Sequence, residues 1–300
     1  MPWKRIWPIL MRTARREASI PSVTHATSPM RASNELQVRA VAGAVMAVAA
    51  VAGAIGGGLL FGFILVGCAI AALREWHRLV EGGTLPRELG FTAAAIVLSV
   101  LLAYSESGLI WPAMALVMGA VVAGVSAALR GGPFVWHAAG PIYIGVAPAA
   151  LMALRETQLQ GEWVVLGLFG AIWAADTGAL FFGKFIGGPK LAPVLSPNKT
   201  WAGWIGGTLF AGAVLALYVG LLGGNAFNAG LAGVFLAVVG HGGDLFESWV
   251  KRRFRAKNTG GLIPGHGGML DRIDSLLFAA PAGAALVFAA DLNPLFGVPL

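Results

Sequence analysis

Nine apolar segments, each approaching the width of a bilayer, recur along this chain of 300 residues. A membrane-spanning helix needs about 20 mainly apolar residues, because the hydrocarbon core is about 30 Å thick. Only 12% of the residues are charged, whereas soluble domains have about a quarter. The sequence therefore predicts an all-α polytopic membrane protein with about nine transmembrane helices. The predicted spans are Val38–Ile55, Gly58–Leu73, Phe91–Tyr104, Leu109–Leu129, Phe134–Leu154, Trp163–Gly183, Gly203–Leu222, Ala229–Gly243 and Ile273–Ala290.

Lysine and arginine residues support this division of the chain. With nine spans and an intracellular amino terminus, 20 of the 21 Lys and Arg residues lie in inside segments, and only Arg155 lies outside. Cytoplasmic loops of membrane proteins carry such an excess of Lys and Arg. The net charge of +7 therefore indicates lipid headgroups and phosphates as partners, and nucleic acid is not expected. Because Cys68 is the single cysteine, intrachain disulfides are excluded.

The segment Ser248–Asp274 combines six cations, several glycines and two carboxylates between apolar stretches. Lys and Arg side chains bind phosphate oxygens, while Asp271 and Asp274 offer hard oxygen ligands to a divalent cation. The segment therefore predicts a site for polyphosphate and metal at the membrane surface. The alternative is a juxtamembrane cluster of cations that only follows the positive-inside rule and binds no substrate. The six cations are Lys251, Arg252, Arg253, Arg255, Lys257 and Arg272.

A helix that restarts after a Gly-Gly pair would present four polar side chains on one face just before this loop. They follow an i, i+3, i+4, i+7 pattern and are Asp244, Glu247, Ser248 and Lys251. Carboxylates with open water positions hold Mg²⁺ beside nucleotide phosphates, so this face is predicted to converge with Asp271 and Asp274 on one ion. Pairing of Asp244 and Glu247 with nearby Lys or Arg residues is the alternative.

Asp176 lies inside an apolar span. An Asp at the centre of a bilayer costs about 2.5–3.5 kcal/mol, so another interaction must offset that cost. A functional carboxylate that faces the interior of the protein is predicted. A buried hydrogen bond between helices is the alternative.

Two other motifs are misleading. Residues 178–184 spell most of a Walker A motif, but Phe185 stands where a Ser or Thr must reach magnesium. His241 and His266 both stand in Gly-His-Gly-Gly strings, but zinc catalysis usually needs three protein ligands, and no His-x-x-x-His or cysteine partner accompanies them. His266 is instead predicted to contact phosphate or substrate, with loop packing as the alternative.

The range Ser248–Asp274 resembles the signature of the phosphatidate cytidylyltransferases, the CDP-diacylglycerol synthases. One position departs, since Asn258 stands where that family has Asp. A second block, residues 176–201, also resembles the family, with Asn198 where Lys is common and the following Ala202 where Glu is common. The signature residues in register are Ser248, Lys251, Arg252, Lys257, Pro264, His266, Gly267, Gly268, Asp271, Arg272 and Asp274.

The resemblance implies an integral membrane enzyme that converts CTP and phosphatidic acid to CDP-diacylglycerol and pyrophosphate in phospholipid biosynthesis. It implies catalytic roles for Asp244, Asp271 and Lys251, with Mg²⁺ held by the two aspartates. A second, monovalent cation and a homodimer are left open. The implied location is a bacterial inner (plasma) membrane with the active site on its cytoplasmic face. The implied substrate-binding residues are Asp176, Ser196, Lys199, Ser248, Arg252, Lys257, His266, Arg272 and Asp274.

Three parts of the chain are therefore expected. Residues 1–37 form a basic cytoplasmic segment, residues 38–160 the N-terminal transmembrane helices, and residues 161–300 the C-terminal transmembrane catalytic region. Two rival functions would use similar parts. One is a CTP-dependent polyprenol or phytol kinase. The other is a membrane transporter with buried carboxylates, although transport gives no reason for a loop of cations, glycines and aspartates.

Overall fold

The computed structural model describes residues 29–105, 108–156, 160–262 and 267–289. The chain divides into two units, Met1–Val38 and Arg39–Leu300. Of the first unit, only residues 29–38 are described, and they are helical. Most of the predicted basic segment thus lies outside the described residues. The predicted boundary near residue 160 stays a prediction.

Nine helices form within the described ranges, and they carry the predicted apolar segments. They are α1 (Pro29–Gly56), α2 (Gly58–Val80), α3 (Glu88–Tyr104), α4 (Ile110–Leu129), α5 (Phe134–Glu156), α6 (Gly161–Phe185), α7 (Trp201–Leu221), α8 (Ala226–Arg253) and α9 (Leu270–Ala289). Six of them, α2 and α4 to α8, are long and apolar enough to cross a membrane. The prediction of a helical, multi-pass membrane protein is therefore confirmed, whereas nine crossings stay a prediction.

Two local features differ from the sequence-based expectation. Helix α8 runs unbroken through the Gly-Gly pair at residues 242–243, so the expected interruption there is wrong. The polar face that begins at Asp244 is therefore a direct continuation of a membrane helix. A short antiparallel hairpin, with strands β1 (Lys190–Ala192) and β2 (Ser196–Thr200), joins α6 to α7 and was not predicted.

Glycines let α6, α7 and α8 approach each other closely. A Cβ atom added at Gly207 of α7 would clash with the carbonyl oxygen of Ala175 in α6. A Cβ added at Gly233 of α8 would lie 2.8 Å from the carbonyl oxygen of Ala211 in α7. Small residues at such crossings are typical of membrane helix pairs, where van der Waals contact drives association. This packing fixes the relative positions of the polar residues that α6 and α8 carry.

Ion pairs tie together the loops that follow α2 and α4. The Arg130 side chain donates from Nη2 to Glu81 Oε1 at 2.5 Å and from Nε to Glu88 Oε1 at 3.0 Å. Ser126 Oγ also donates to Glu88 Oε1, at 2.7 Å. The Arg130 guanidinium holds the pKa of Glu81 below its usual range. These contacts fix the end of α2, the helix that carries Glu75, considered below.

Arg155, the one cation predicted to lie outside, has structural partners of its own. Its guanidinium donates to the carbonyl oxygens of Ala54 and Ile55, at 2.5 and 3.1 Å, at the end of α1. The next residue, Glu156, accepts from the backbone N–H of Gly58 at the start of α2, at 2.7 Å. A cation at a helix C-terminus and an anion at an N-terminus both complement the helix dipole. The exception to the charge rule therefore has a local physical reason.

Candidate active site

A charged cavity of about 650 Å³ lies where α6, α8 and α9 meet the hairpin. Acidic and basic side chains line it in equal number, so the cavity contains both carboxylates, the type of group that binds divalent metals, and cations, the type that binds phosphates. The acidic residues are Asp176, Asp244, Asp271 and Asp274, and the basic residues are Lys184, Lys199, Lys251 and Arg272.

The hairpin brings Lys199 to this cavity. Strand β2 ends at Thr200, whose side chain accepts a hydrogen bond from the backbone N–H of Gly203 and so caps α7. With that cap holding the strand against the helix, Lys199 Nζ forms an ion pair with Asp244 Oδ2 on α8. The lysine predicted to bind phosphate and the aspartate predicted to bind metal are thus neighbours, although 45 positions of sequence separate them.

Lys251, near the end of α8, lies between two carboxylates. Its Nζ atom is 2.5 Å from Glu247 Oε2 on the same helix and 2.8 Å from Asp271 Oδ1 on α9. Glu247 is only 1% exposed, so its charge needs this cation. The alternative prediction, that Asp244 and Glu247 pair with nearby lysines, therefore matches the ion pairs in the structure. Asp244 also lines the cavity.

Asp271 organises the loop that precedes α9. Its Oδ2 atom accepts hydrogen bonds from the backbone N–H of Thr259, at 3.2 Å, and of Gly268, at 3.0 Å. Thr259 Oγ1 lies 3.0 Å from the same oxygen. Gly267 adopts a φ of 84°, in the left-handed region that favours glycine, and so lets the loop turn into α9. A single carboxylate therefore joins Lys251 to both sides of the loop.

Glu75 of α2 holds the same loop from the other half of the protein, and the sequence analysis missed it. Its two carboxylate oxygens accept from the backbone N–H groups of Met269 and Leu270, both at 2.9 Å, and Oε2 also lies 3.2 Å from Thr259 Oγ1. Glu75 is 5% exposed. A Cβ added at Gly268 would clash with Glu75 Oε2, so only glycine allows this approach.

An apolar cavity of about 290 Å³ adjoins the charged one. Side chains from α1, α2, α5, α6 and α9 line it, among them Leu65, Ile144 and Trp173. Asp176 and Arg272 line both cavities. The prediction that Asp176 faces the interior thus fits its position where the apolar and charged spaces meet.

The model of the cytidylyltransferase family matches residues 37–290 of this chain, which include every described residue that lines the two cavities. The chain belongs to the cytidylyltransferase family. The resemblance that the sequence motifs indicated is therefore confirmed.

Individual members of the family are similar to this chain over different lengths. Phosphatidate cytidylyltransferase of Brucella suis is 38% identical over 239 residues, which cover 75% of this chain and 83% of that protein. The enzyme of the same name from Rickettsia typhi is 40% identical over 45% of this chain, and that of Staphylococcus aureus strain COL is 44% identical over 46% of it.

The cavity of this cytidylyltransferase contains most of the predicted site residues. The three predicted catalytic residues line it, as do six of the nine predicted substrate-binding residues. Arg252 and Lys257 are exposed, and neither is among the described residues that line the cavity. Arg252 Nε lies 3.5 Å from the carbonyl oxygen of Leu195 in the hairpin turn. Their substrate contacts stay predictions, and His266 lies outside the described residues. The six that line the cavity are Asp176, Ser196, Lys199, Ser248, Arg272 and Asp274.

The donor atoms in the cavity fit Mg²⁺ bound together with a nucleotide. Within the described ranges, no three His, Cys, Asp or Glu side chains are arranged to hold a metal ion by themselves. Mg²⁺ usually takes one or two carboxylates and completes its shell with phosphate oxygens and water. Asp244 and Asp271 provide such carboxylates from two different helices. Metal binding by these residues stays a prediction.

Proposed function

We propose that this protein is a phosphatidate cytidylyltransferase that makes CDP-diacylglycerol and pyrophosphate from CTP and phosphatidic acid. The observation that carries this proposal is the junction of a charged cavity with an apolar one at Asp176 and Arg272. The charged cavity can bind the triphosphate of a nucleoside triphosphate, and the apolar cavity can bind acyl chains. The two reacting phosphates would then meet at the junction. The family and the names of its members support the same reaction.

In this reaction an oxygen of the lipid phosphate attacks the α-phosphorus of CTP. A new P–O bond forms while the bond from the α-phosphorus to the oxygen bridging to the β-phosphate breaks, and pyrophosphate leaves with the electron pair. The attacking oxygen is already anionic, so catalysis consists mainly of positioning and charge neutralisation. Lys199 of β2, Lys251 of α8 and Arg272 of α9 line the cavity and are the cations that would neutralise phosphate oxygens.

Ion pairs position these cations next to the predicted metal ligands. Lys199 pairs with Asp244, and Lys251 pairs with Asp271. When the nucleotide binds, Lys199 can turn from Asp244 to a phosphate and leave that aspartate free for Mg²⁺, whereas Lys251 can add a phosphate contact while it keeps its pair with the buried Glu247. Mg²⁺ held by Asp244 and Asp271 would supply further neutralisation of the triphosphate. A second, monovalent cation stays part of the proposal without assigned ligands.

An isotope experiment separates this reaction from lipid phosphorylation. Purified protein reconstituted in vesicles is incubated with Mg²⁺, with CTP labelled in either the α- or the γ-phosphate, and with phosphatidic acid or, in parallel, a polyprenol or phytol acceptor. Transfer of the α-label to lipid supports cytidylyl transfer. Transfer of the γ-label to a polyprenol or phytol acceptor would favour the rival kinase, and substrate uptake without nucleotide turnover would favour a transporter.

The proposed orientation places the active site on the cytoplasmic face of a bacterial inner membrane. In a Cys68→Ser background, Lys257→Cys should react with membrane-impermeant maleimide only from inside, and Asn225→Cys only from outside, because the positive-inside rule puts the cationic loop in the cytoplasm. Both positions are exposed, whereas Thr259 is 7% exposed and too buried to serve as a probe. Labelling of Lys257→Cys from outside would overturn the orientation and the cytoplasmic site together.

Assembly of the protein as a homodimer stays a proposal.

The departure at Asn258 provides a test of the metal site. Asn258 is exposed and lines the charged cavity, in the loop that Asp271 orders. We expect Asn258 to order this loop by hydrogen bonding without binding metal, since its amide keeps an acceptor oxygen but lacks charge. Asn258→Asp should therefore change kcat/KM less than about tenfold, or about 1.4 kcal/mol, with an unchanged Mg²⁺ optimum. A large gain in activity with tighter Mg²⁺ dependence would show instead that Asn258 replaces a metal ligand.

A further inference from the structure

His241 of α8 is a buried polar side chain that faces the charged cavity. It is 6% exposed, and its Nε2 atom has no hydrogen-bond partner among the described residues. Buried polar groups in native proteins are almost always hydrogen-bonded, so an unpaired nitrogen on a residue that lines the cavity calls for a partner that a bound ligand can provide.

Trp204 of α7 lies beside this histidine. The two ring centroids are 6.2 Å apart, and Trp204 is partly exposed and lines the same cavity. A flat aromatic face beside a hydrogen-bonding group is a poor binding site for a phosphate, for which Lys199 already stands nearby. It is well suited to a nucleobase, which stacks on aromatic rings and offers hydrogen-bonding atoms at its edge.

The position of this pair also indicates that it binds the nucleotide and not the lipid. His241 and Trp204 belong to the charged cavity, and neither is among the described residues that line the apolar cavity. The two cavities meet instead at Asp176, Arg272 and Ser275, on α6 and α9. Acyl chains and a base can therefore occupy opposite sides of the junction.

We propose that Trp204 and His241 form the subsite that binds the base of the nucleotide, with the indole stacked on the base and His241 Nε2 hydrogen-bonded to its edge. Either neutral tautomer of the imidazole finds a partner on cytosine. An Nε2–H group donates to the ring nitrogen N3 or to the carbonyl oxygen, and an unprotonated Nε2 accepts from the exocyclic amine. The inference rests on the proposed function, since it takes CTP to be the substrate.

The test compares a ligand that carries a base with one that does not. His241→Phe keeps a ring but removes the nitrogen, and Trp204→Ala removes the stacking face. In each variant KM for CTP should rise at least about tenfold, because a base–aromatic contact or a buried hydrogen bond is lost. KM for phosphatidic acid and the inhibition constant of pyrophosphate, which has no base, should change less than about twofold. Trp111→Ala is the matched control, since Trp111 of α4 is 56% exposed and is not among the described residues that line the cavity.

Several results would overturn the proposal. Equal weakening of CTP and pyrophosphate would make the pair a phosphate site, and a change confined to phosphatidic acid would make it a lipid site. Unchanged KM for CTP in both variants would remove any role in substrate binding. If His241→Phe fails to fold, Trp204→Ala alone decides. Folded wild-type protein that forms no CDP-diacylglycerol would instead defeat the proposed function, which distinguishes that failure from failure of the subsite.

Discussion

Replacement of Asp271 by Asn should lower kcat at least about 100-fold in a protein that still folds. The amide keeps an acceptor oxygen for the N–H groups of Thr259 and Gly268, so the loop has a substitute partner. It removes the charge that pairs with Lys251 and that is predicted to hold Mg²⁺. Turnover of CTP and phosphatidic acid should therefore fall, and the Mg²⁺ concentration for half-maximal activity should rise.

The matched control for this substitution is Glu162→Gln. Glu162 is a partly exposed carboxylate that lies 3.6 Å from Arg155 at the other end of α6, outside the described lining of the cavity. The Glu162→Gln substitution should leave both kcat and the Mg²⁺ dependence unchanged. Turnover like that of the wild type in folded Asp271→Asn protein would refute the assignment of Asp271 as a metal ligand, whatever its role in the loop.

Replacement of Glu75 by Ala should destabilise the protein by about 3 kcal/mol and abolish most activity, although Glu75 lies outside the signature segment. The substitution leaves the N–H groups of Met269 and Leu270 without their acceptor. A buried donor left without a partner costs about 1–3 kcal/mol, and more than one is affected here. The loop and the first turn of α9 should then lose their fixed position, and Asp271 with them.

Thermal unfolding in detergent, together with the rate of proteolytic cleavage in the range Arg255–Leu262, measures this effect. Arg74→Gln is the control, because Arg74 is the exposed neighbour of Glu75 on the same helix. Glu75→Ala protein with unchanged unfolding temperature, cleavage rate and turnover would show that the loop is held by Asp271 alone.

The sequence by itself determined the class of protein, its helices and its chemistry. Hydropathy is a sum over a local window, so apolar segments predict membrane helices without knowledge of their neighbours. The count of Lys and Arg predicts the sidedness in the same way. The segment Ser248–Asp274 indicated the family because its residues are contiguous, and a contiguous pattern needs no fold to be recognised.

Only the tertiary structure decided which residues meet. Glu75 is a single carboxylate among the cations at the end of a span, and no local pattern indicates partners that lie 194 and 195 positions away. Arg252 and Lys257 belong to the signature segment, yet their exposed positions depend on how α8 and the following loop pack. The pairing of Lys199 with Asp244 requires a hairpin that the sequence analysis did not predict.

The physical reason is that contacts between helices depend on their rotation and separation, which side-chain volume at the crossing points sets. Gly207 against Ala175 brings α7 within backbone contact of α6, and Gly233 brings α8 against α7. Those approaches determine that Asp176 and Asp244 share one cavity and that Trp204 lies beside His241. Hydropathy counts each of these glycines as one more apolar residue. Their effect on the site appears only when the helices are packed together.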